Sequence, residues 1–488
     1  MMISIETPVF KGRWLERCIE SVLYQSSPNW SFSLLWDGGD EQSRRILEQL
    51  EGRRHPNVQV HFGNNRGIAR ARRFLSEHSR GDFILPLDDD DALPFYTVER
   101  FLSVAEAKPW AAVIRGQRKF IDEEGKIIDT RPWFPFEPRH YQRGMVTDLM
   151  NHTQPYLIRR SAYERTSGWE GFDDFGFAGE DCDIYLKLEE AGTIELLDQT
   201  LYYYRINPHR ASLVLTDQGA YEMWRRLADK TIARIGLPLK RVNDKPPFQY
   251  ERVARSAPTL DLVDFVVVAS DEHTMPSGAT GVAQGLRQAG IPADALHVVR
   301  GPMAGALNQG FRRATRPLVC VLDATVQVDG RQPLETLLRL MGQYDADLAA
   351  PKLVTRDGRI VWADPGFGNG HRPEVTAQGE PDEGQYDQCR DAPWLCEKLV
   401  LCRREVIRAV GGLDDGYDHE RTAVVDFCLR ARQRDFKCAY LGAVAFSYLG
   451  SEPASDVGPD LPRLRDKWAD YPHLFARQDP APEGSSRP

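Results

Sequence analysis

The sequence predicts an α/β protein made of two tandem domains, each built on a mainly parallel sheet. Three observations lead to this prediction: alternating strand and helix patterns, a proline-rich break near the middle of the chain, and matching motifs on its two sides. The chain has 488 residues, of which 42% are hydrophobic and 27% charged. This is an ordinary balance for globular proteins, and the length suits two or three domains.

Strand-like and helix-like segments alternate over the first ninety residues. The strand candidates are "MISIETPVF", "WSFSLLWDGG", "VQVHFG" and "DFILPLD". Between them lie "RWLERCIESVLYQ", "DEQSRRILEQLEG" and "GIARARRFLSEHS", whose apolar residues recur with helical spacing. This order predicts a parallel sheet covered by helices, with ligands bound at the carboxyl ends of the strands.

Composition marks the domain limits. We predict a first domain over 1–236 and a linker over 237–258, which is rich in proline and charge. A second α/β domain is predicted over 259–455. The remaining residues, 456–488, form a C-terminal extension that we expect to be partly disordered, because it ends in "QDPAPEGSSRP".

The two domains are predicted to be copies of one unit. The segment "RRSAYERTSGWEGFDDFGFAGEDCDIYLKL" in the first resembles "RREVIRAVGGLDDGYDHERTAVVDFCLRA" in the second, and "GDFILPLDDDD" resembles "RPLVCVLDATV". Two matching pieces in the same order make chance a poor explanation. With one deletion, the matched pairs are Arg159 with Arg403, Gly168 with Gly412, Asp183 with Asp426, and Asp88 with Asp323.

Charge and cysteine content narrow the class of protein. The net charge of −9 argues against a nucleic-acid coat, since no broad basic field is present to displace counterions. The eight cysteines form no CxxC pair, and several lie in apolar runs, which favours buried thiols in a reducing compartment. The spacing of Cys389, Cys396 and Cys402 does not favour a zinc site.

The apolar runs are too short for a transmembrane segment, and the N-terminus lacks the pattern of a signal peptide. We therefore predict a cytoplasmic protein. Peripheral contact with a membrane surface is compatible with this prediction.

Four aspartates, Asp88 to Asp91, follow an apolar strand in "LPLDDDDALP". Hard oxygen ligands of this kind suit Mg²⁺ or Mn²⁺, which would also offset the repulsion between the carboxylates. The competing interpretation is an acidic loop that faces water. Its position after a buried strand favours the metal site.

A second acidic motif, "GEDCD", places Glu180 and Asp181 at the start of an amphipathic helix. Carboxylates in a first helical turn also interact well with the helix dipole, so a capping role competes with a catalytic one. The glycine- and aromatic-rich approach favours a pocket wall. In "YYYRINPHRAS", Arg205 and His209 could bind a diphosphate and a metal, although a lone loop histidine is usually a surface residue.

In this order and spacing, the motifs resemble those of the family 2 inverting glycosyltransferases, which have the GT-A fold. The resemblance covers roughly residues 2 to 215 and rests on "ISIETPVFKGRW", "WDGGD", "NRGIARARR", "LDDDD", "GEDCD" and "YYYRINPHRAS". The C-terminal half, from about 261 to 451, also resembles the family with eroded motifs, so the resemblance implies two tandem GT-A domains. It also implies an enzyme that moves a hexosyl group from a nucleotide-sugar, with UDP as the expected nucleotide, to a glycan, lipid-linked or protein acceptor.

The resemblance assigns roles to individual residues. Asp181 would be the general base and Glu180 its neighbour. The metal, Mn²⁺ or Mg²⁺, would be held by Asp90, Asp88 and His209. The nucleotide-sugar would contact Thr7, Pro8, Asp37, Asn65, Arg72, Asp88, Asp91 and Arg205. Three departures concern nucleotide contacts: Trp36 replaces the first aspartate of a "DDGS" turn, Gly39 replaces its serine, and Arg73 replaces the asparagine after Ala-Arg.

The second domain has lost the motifs. Thr325 stands where the second metal carboxylate belongs, and Ala423 and Val424 stand at the positions of Glu180 and Asp181. We interpret it as a degenerate glycosyltransferase-like domain that supports the first, binds acceptor glycan or forms a homo-oligomer. In such a domain, we expect Asp323 and Asp426 to form structural hydrogen bonds at a strand end and a helix start.

Two other functions compete with glycosyl transfer. A glycan-binding pseudo-glycosyltransferase would not need the intact "LDDDD" and "GEDCD" motifs. A sugar nucleotidyltransferase calls for a glycine-rich N-terminal triphosphate loop, which "SIETPVFKGRW" lacks. The aromatic segment at residues 131–158 suits either stacking on acceptor sugars or packing against the sheet.

Overall fold

The computed structural model describes residues 1–64, 67–129, 154–171, 179–206, 217–244, 250–253, 255–269, 278–301, 303–375, 378–450 and 458–475. The chain divides into two compact units. The first comprises Met1–Thr231 and Arg241–Tyr250, and the second comprises Ile232–Lys240 and Glu251–Pro488. The sequence placed the domain boundary at residue 236 and a linker over 237–258, and this region contains two short strands that pair with each other, β9 and β10.

The first unit contains one sheet and its covering helices. Its strands are β1 (Ile3–Val9), β2 (Trp30–Trp36), β3 (Val58–Phe62), β4 (Phe83–Pro86), β5 (Ala111–Ile121), β6 (Ile127–Asp129), β7 (Tyr156–Arg159) and β8 (Thr193–Arg205). Its helices are α1 (Leu15–Leu23), α2 (Glu41–Gly52), α3 (Ile68–His78), α4 (Thr97–Ala107), α5 (Arg160–Tyr163) and α6 (Glu180–Glu189), and α7 (Asp217–Ile235) begins in it.

The strand order of the first sheet is β3-β2-β1-β4-β7-β5-β6, with β8 also paired to β5. Strands β1 to β4 run parallel, and β8 runs parallel to β5, whereas β7 is antiparallel to both of its neighbours. Every residue of β1 is buried, as expected for a central strand covered on both faces. The mainly parallel α/β sheet predicted from the sequence is confirmed.

Strand register brings the predicted site residues to one edge of this sheet. Val9 of β1 lies opposite Trp36 of β2, and Glu6 lies opposite Pro86 of β4. The residues that follow β1, β2 and β4 therefore meet at the same end. Asp37 and the aspartates after β4 emerge there.

The second unit contains a second sheet. After β9 (Leu239–Arg241) and β10 (Tyr250–Arg252), the strands are β11 (Val263–Ala269), β12 (Leu296–Arg300), β13 (Leu318–Asp323), β14 (Val326–Gln327), β15 (Leu348–Val354), β16 (Ile360–Trp362), β17 (Pro365–Phe367), β18 (Pro373–Val375), β19 (Cys389–Asp391), β20 (Leu399–Arg403) and β21 (Cys438–Tyr448). The helices are α8 (Gly278–Gln288), α9 (Met303–Arg313), α10 (Gln332–Gln343), α11 (Arg404–Val410), α12 (Glu420–Gln433) and α13 (Leu461–Trp468).

The two sheets share one topology. The order β12-β11-β13-β20-β15-β21 in the second corresponds to β2-β1-β4-β7-β5-β8 in the first, with the same parallel and antiparallel pairs. The register also agrees, because Phe83 lies opposite Arg159 and Leu318 lies opposite Arg403. The prediction of two tandem α/β domains is confirmed.

Side-chain contacts repeat as well. The Nε atom of Arg159 donates to the carbonyl oxygen of Ala111 at 2.8 Å, and Nε of Arg403 donates to that of Ala346 at 3.3 Å. These contacts fasten the end of β7 or β20 to the start of the next strand in the sheet. They show that the Arg-Arg motif serves the scaffold in both units.

A cluster of charged residues anchors α6 in the first unit and α12 in the second. In the first, Lys187 contacts Asp183 and donates to the carbonyl oxygen of Gly168 at 2.9 Å, and Lys230 donates to Glu170 and Asp183 at 2.6 and 3.0 Å. We call this the helix-anchoring cluster. Because it joins α6, α7 and the loop after Gly168, it fixes the direction of α6.

The second unit repeats the helix-anchoring cluster with other side chains. Arg430 donates to Asp426 at 2.8 Å and to the carbonyl oxygen of Gly412 at 2.9 Å. Lys467 contacts Asp414 at 3.0 Å and Asp426 at 2.8 Å. Lys467 belongs to α13, so part of the predicted C-terminal extension is folded, while residues 476–488 lie outside the described residues.

Within the described part of the chain, no helix has the length and apolarity needed to cross a membrane.

Candidate active site

Two of the four aspartates after β4 hold backbone in place. Asp89 accepts hydrogen bonds from the N–H groups of Phe10 and Lys11 at 2.9 and 3.1 Å. Asp91 is buried and accepts one from the N–H of Arg205 at 2.7 Å. These contacts tie the loop after β4 to the loop after β1 and to the end of β8. Asp88 and Asp90 are the remaining carboxylates for ligand binding.

Asp88 shares a buried cation with the acidic motif of α6. Nη2 of Arg72, which is only 3% exposed, donates to Oδ1 of Asp88 at 2.9 Å. Its Nη1 lies 3.4 Å from Oδ1 of Asp181, and its Nε lies 3.7 Å from Oε1 of Glu180. The face of Trp169 lies against the guanidinium at 5.2 Å. The structure thus brings the two predicted acidic motifs together around one arginine.

The pKa values of these groups show how closely the charges are packed. Burial raises the pKa of Asp88 to about 6 despite the neighbouring Arg72, and it raises the pKa of Glu180 to about 8 with a contribution from Asp181. Burial also raises the pKa of Asp89 to about 7, with a contribution from Asp90. For Arg72 burial acts in the opposite direction, but the carboxylates of Asp181 and Asp88 hold its pKa well above its ordinary value. The charge of Arg72 therefore does not balance the negative charge of the carboxylates around it.

This donor set suits a divalent cation. The pKa of Asp88 is raised by burial, and the carboxylates of Asp181 and Asp90 add to it, so a cation placed here relieves repulsion that Arg72 alone does not. Carboxylate oxygens are also the ligands that Mg²⁺ and Mn²⁺ prefer. Among the described residues, no three His, Cys, Asp or Glu side chains are already arranged as a metal site, and His209 lies outside them. The assignment of Asp88, Asp90 and His209 to a metal therefore stays a prediction.

Asp181 is the more exposed of the two acidic residues at the start of α6. The helix α6 begins at Glu180 after Gly179, whose φ of 92° is a left-handed conformation that favours glycine. The side chain of Asp181 is 20% exposed, whereas that of Glu180 is 9% exposed. The hydroxyl of Tyr156 donates to Oδ1 of Asp181 at 2.8 Å. Since Glu180 is buried and its raised pKa favours the protonated form near neutral pH, Asp181 is better placed to act as a base.

The predicted nucleotide contacts lie at the same sheet edge. Thr7 and Pro8 are buried near the carboxyl end of β1, and Asp37 follows β2 and accepts a hydrogen bond from the N–H of Gly67 at 3.0 Å. Asn65 is outside the described residues. These assignments stay predictions.

Arg205 is engaged with backbone. Its guanidinium donates to the carbonyl oxygens of Asp90, Asp122 and Glu123 at 2.8, 2.7 and 3.0 Å, and it stacks over Trp14 at 5.4 Å. It therefore orders the loop that carries the aspartates. The direct contact with the diphosphate that the sequence predicted stays a prediction.

Sequence motifs did not single out Tyr156, Trp169 or Tyr202. The N–H of Asp88 donates to the hydroxyl of Tyr202 at 3.2 Å, and Nε1 of Trp169 donates to Ser76 at 3.0 Å. Tyr156 and Tyr202 lie in strands, and Trp169 follows Gly168. Each side chain combines an aromatic ring with one polar atom. Such residues usually find a hydrogen-bond partner when buried, and this was the available signal.

At the matching described positions, the second unit has neither the shared arginine nor the base. Leu307 lies at the same distance before β13 as Arg72 lies before β4, and Val400 holds the register position of Tyr156. The predicted replacements Ala423 and Val424 are buried in α12. Asp323 accepts hydrogen bonds from Thr325, and Lys398 lies 3.5 Å from it and 3.0 Å from Glu420. A lysine thus offsets the carboxylates in this unit.

Comparison with known proteins identifies the class of the first unit. Residues 4–166 match the family model described as glycosyl transferase family 2. The predicted resemblance to this family is confirmed over these residues of the first unit.

Curated relatives extend this assignment. Chondroitin synthase from Escherichia coli is 26% identical over 261 residues, which are 52% of this chain and 36% of that protein. An uncharacterized glycosyltransferase, EpsJ, from Bacillus subtilis is 28% identical over 220 residues, 43% of this chain and 62% of that protein. The uncharacterized protein y4gI from Sinorhizobium fredii is 25% identical over 478 residues, 88% of this chain and 51% of that protein. This chain covers less than two thirds of each.

Among solved structures, the crystal structure of S. aureus TarS 1-349 in complex with UDP-GlcNAc aligns with a TM-score of 0.38 and 17% identity. The alignment covers 48% of this chain and 66% of that chain.

Proposed function

We propose that the first unit is a metal-dependent inverting glycosyltransferase. It transfers a sugar from a nucleotide-sugar, with UDP as the nucleotide, to a hydroxyl of a glycan, lipid-linked or protein acceptor. One observation supports this most: Arg72 joins Asp88 of the predicted metal motif to Asp181, the predicted base, in a single buried cluster. The family match and the names of several curated relatives support the same class of reaction.

The carboxylate of Asp181 acts as the general base. It accepts the proton of the acceptor hydroxyl while that oxygen attacks the anomeric carbon of the donor sugar. The bond between this carbon and the diphosphate oxygen breaks, and the nucleoside diphosphate leaves with the electron pair. A single displacement inverts the anomeric centre. A glycosidase would instead place two carboxylates on either side of the bond.

Asp88 and Asp90 would hold the divalent cation. Such an ion, when bound, stabilises negative charge that develops on the leaving diphosphate. Arg72 keeps Asp88 and Asp181 in fixed positions and limits the repulsion between them. Glu180, with its raised pKa, stays a neutral neighbour of the base near neutral pH.

A non-catalytic glycan-binding function is the second candidate, and it applies to the second unit. The positions of the buried arginine, the tyrosine and both acidic residues of α6 are occupied there by Leu307, Val400, Ala423 and Val424. This unit keeps the scaffold without the base. We expect a role in acceptor binding or in homo-oligomer formation for it.

A donor screen tests the proposed function. The purified chain is incubated with UDP-linked and GDP-linked sugars and oligosaccharide acceptors, with Mn²⁺, Mg²⁺ or EDTA, and nucleotide release and sugar transfer are measured. We expect metal-dependent turnover of a UDP-sugar and an inverted product. Absence of both hydrolysis and transfer for every donor would contradict the proposal. Release of pyrophosphate from UTP and a sugar phosphate would favour a nucleotidyltransferase.

A further inference from the structure

We propose that Tyr156 is a positioning residue for the general base, which holds one carboxylate oxygen of Asp181 and leaves the other for the acceptor hydroxyl. This inference rests on the proposed function, because it assigns a role to Tyr156 in that reaction. Tyr156 belongs to none of the acidic motifs.

The position of Tyr156 is fixed by the fold. It is the first residue of β7, which lies between β4 and β5, and it is fully buried. Its ring packs edge-on against Tyr185 of α6, with 6.2 Å between the ring centroids. Because Tyr185 and Asp181 lie one turn apart on α6, this packing brings the hydroxyl under the first turn of the helix.

The contacts of Asp181 are one-sided. The hydroxyl of Tyr156 donates to Oδ1 at 2.8 Å, and the nearest approach of Arg72 is also to Oδ1, at 3.4 Å. In the described parts of the chain, no hydrogen bond reaches Oδ2 of this side chain. Burial and the charge of Asp181 raise the pKa of Tyr156 well above its ordinary value, so its hydroxyl stays a donor. A hydrogen-bond donor fixed on Oδ1 sets the plane of the carboxylate and leaves Oδ2 available to the acceptor hydroxyl.

The second unit provides an internal comparison. Arg159 and Arg403 occupy equal register positions in β7 and β20, which places Val400 at the position of Tyr156. Val400 has no donor, and Val424 occupies the position of Asp181. The helix-anchoring cluster persists in this unit. The hydroxyl is therefore present where the base is present, and the shared fold forms without it.

Tyr156→Phe tests this role because it removes the hydroxyl and keeps the ring. We expect kcat to fall about tenfold, the effect of losing one well-oriented hydrogen bond to a catalytic group, with the donor KM and the Kd for UDP within twofold of wild type. Tyr185→Phe is the matched control, since it removes a buried hydroxyl from the same core and should leave kcat within twofold. Melting temperatures of both variants are compared with wild type.

A double variant separates positioning from a structural effect. If Tyr156 acts through Asp181, then Tyr156→Phe adds no further loss to Asp181→Asn. An unchanged kcat in Tyr156→Phe would overturn the inference. Loss of UDP affinity or of folding in proportion to activity would also overturn it, because the hydroxyl would then serve the scaffold. If wild type turns over no donor, the proposed function fails, whereas an active wild type and an equally active Tyr156→Phe refute only the role of Tyr156.

Discussion

Arg72 and Asp88 form an ion pair between a buried arginine and a partly exposed aspartate, with 2.9 Å between Nη2 and Oδ1, at the carboxyl end of the central strands. The arginine comes from α3 and the aspartate follows β4, so the pair joins two elements of the first unit. The same guanidinium approaches Asp181. Geometry on the metal side of the site is therefore coupled to geometry on the base side.

Replacement of Arg72 should impair both sides at once. Arg72→Leu introduces the residue found at the equivalent position, Leu307, and removes the cation that Asp88, Glu180 and Asp181 share. We expect kcat/KM to fall at least about 100-fold and the melting temperature to drop, because an uncompensated buried charge is costly. Arg72→Lys should recover part of the loss, since it restores the charge without the forked geometry. A kcat/KM within threefold of wild type for Arg72→Leu would contradict this coupling.

Asp181→Asn should separate chemistry from binding. The amide keeps the shape of the side chain but cannot accept the proton, so we expect kcat to fall by about 10² to 10⁴. UDP affinity, measured by titration calorimetry, should remain within twofold. The control is Asp198→Asn, which changes an exposed aspartate of β8 in the same unit. Equal loss of UDP binding in Asp181→Asn would show that the residue binds nucleotide.

Asp323→Asn tests the degenerate second unit. Asp323 already accepts hydrogen bonds from Thr325 and lies near Lys398, and no base stands at the matching positions of α12. We expect transfer to stay within twofold of wild type. Asp88→Asn is the paired variant in the first unit and should lose at least about 100-fold, because it removes a predicted metal ligand. A large loss from Asp323→Asn would assign catalysis to both units.

Glu6→Gln should change how stability depends on pH. Glu6 is buried in β1 and accepts hydrogen bonds from Ser76 and Ser79, at 2.6 and 2.5 Å, and burial raises its pKa from 4.5 to about 7. Between these two values the folded state holds a proton that the unfolded state releases, so the stabilising contribution is complete below pH 4.5 and is lost as pH rises through 7. We expect the free energy of unfolding of wild type to fall by about 3 kcal/mol more than that of Glu6→Gln over this range.

Urea unfolding at several pH values between 4.5 and 8 measures the difference in free energy of unfolding between wild type and Glu6→Gln. Because both proteins contain the acidic residues of the active site, the contribution of those residues cancels in the comparison. Parallel pH profiles for wild type and Glu6→Gln would show that Glu6 ionises normally.

The sequence predicted the parts of the site that depend on local pattern. Alternating strands place whatever follows β1, β2 and β4 at one edge, so Asp37 and the aspartates after β4 could be located from periodicity alone. Asp183 and Asp426 could be paired from spacing, and the helix-anchoring clusters agree with that pairing.

What the sequence could not show depends on how elements pack. Arg72 was expected to contact the nucleotide-sugar, but the packing of α3 against β1 and β2 brings its guanidinium near Asp181 as well as Asp88. The contact of Tyr156 with Asp181 depends on the antiparallel insertion of β7, which no local pattern encodes. The pairing of β9 with β10 inside a proline-rich segment was likewise not predicted, because strands of three residues carry little periodic signal.

We expect the two units to differ in thermal stability, because the positions of Arg72, Glu180 and Asp181 hold apolar residues in the second unit. Burying a charge cluster is costly, and well-packed apolar side chains of similar size are often more stable by about 1 to 4 kcal/mol. We therefore expect the first unit to melt at the lower temperature in calorimetry, and UDP with Mn²⁺ to raise that transition and leave the other unchanged. In this chain, nucleotide and metal would then stabilise the less stable of the two units.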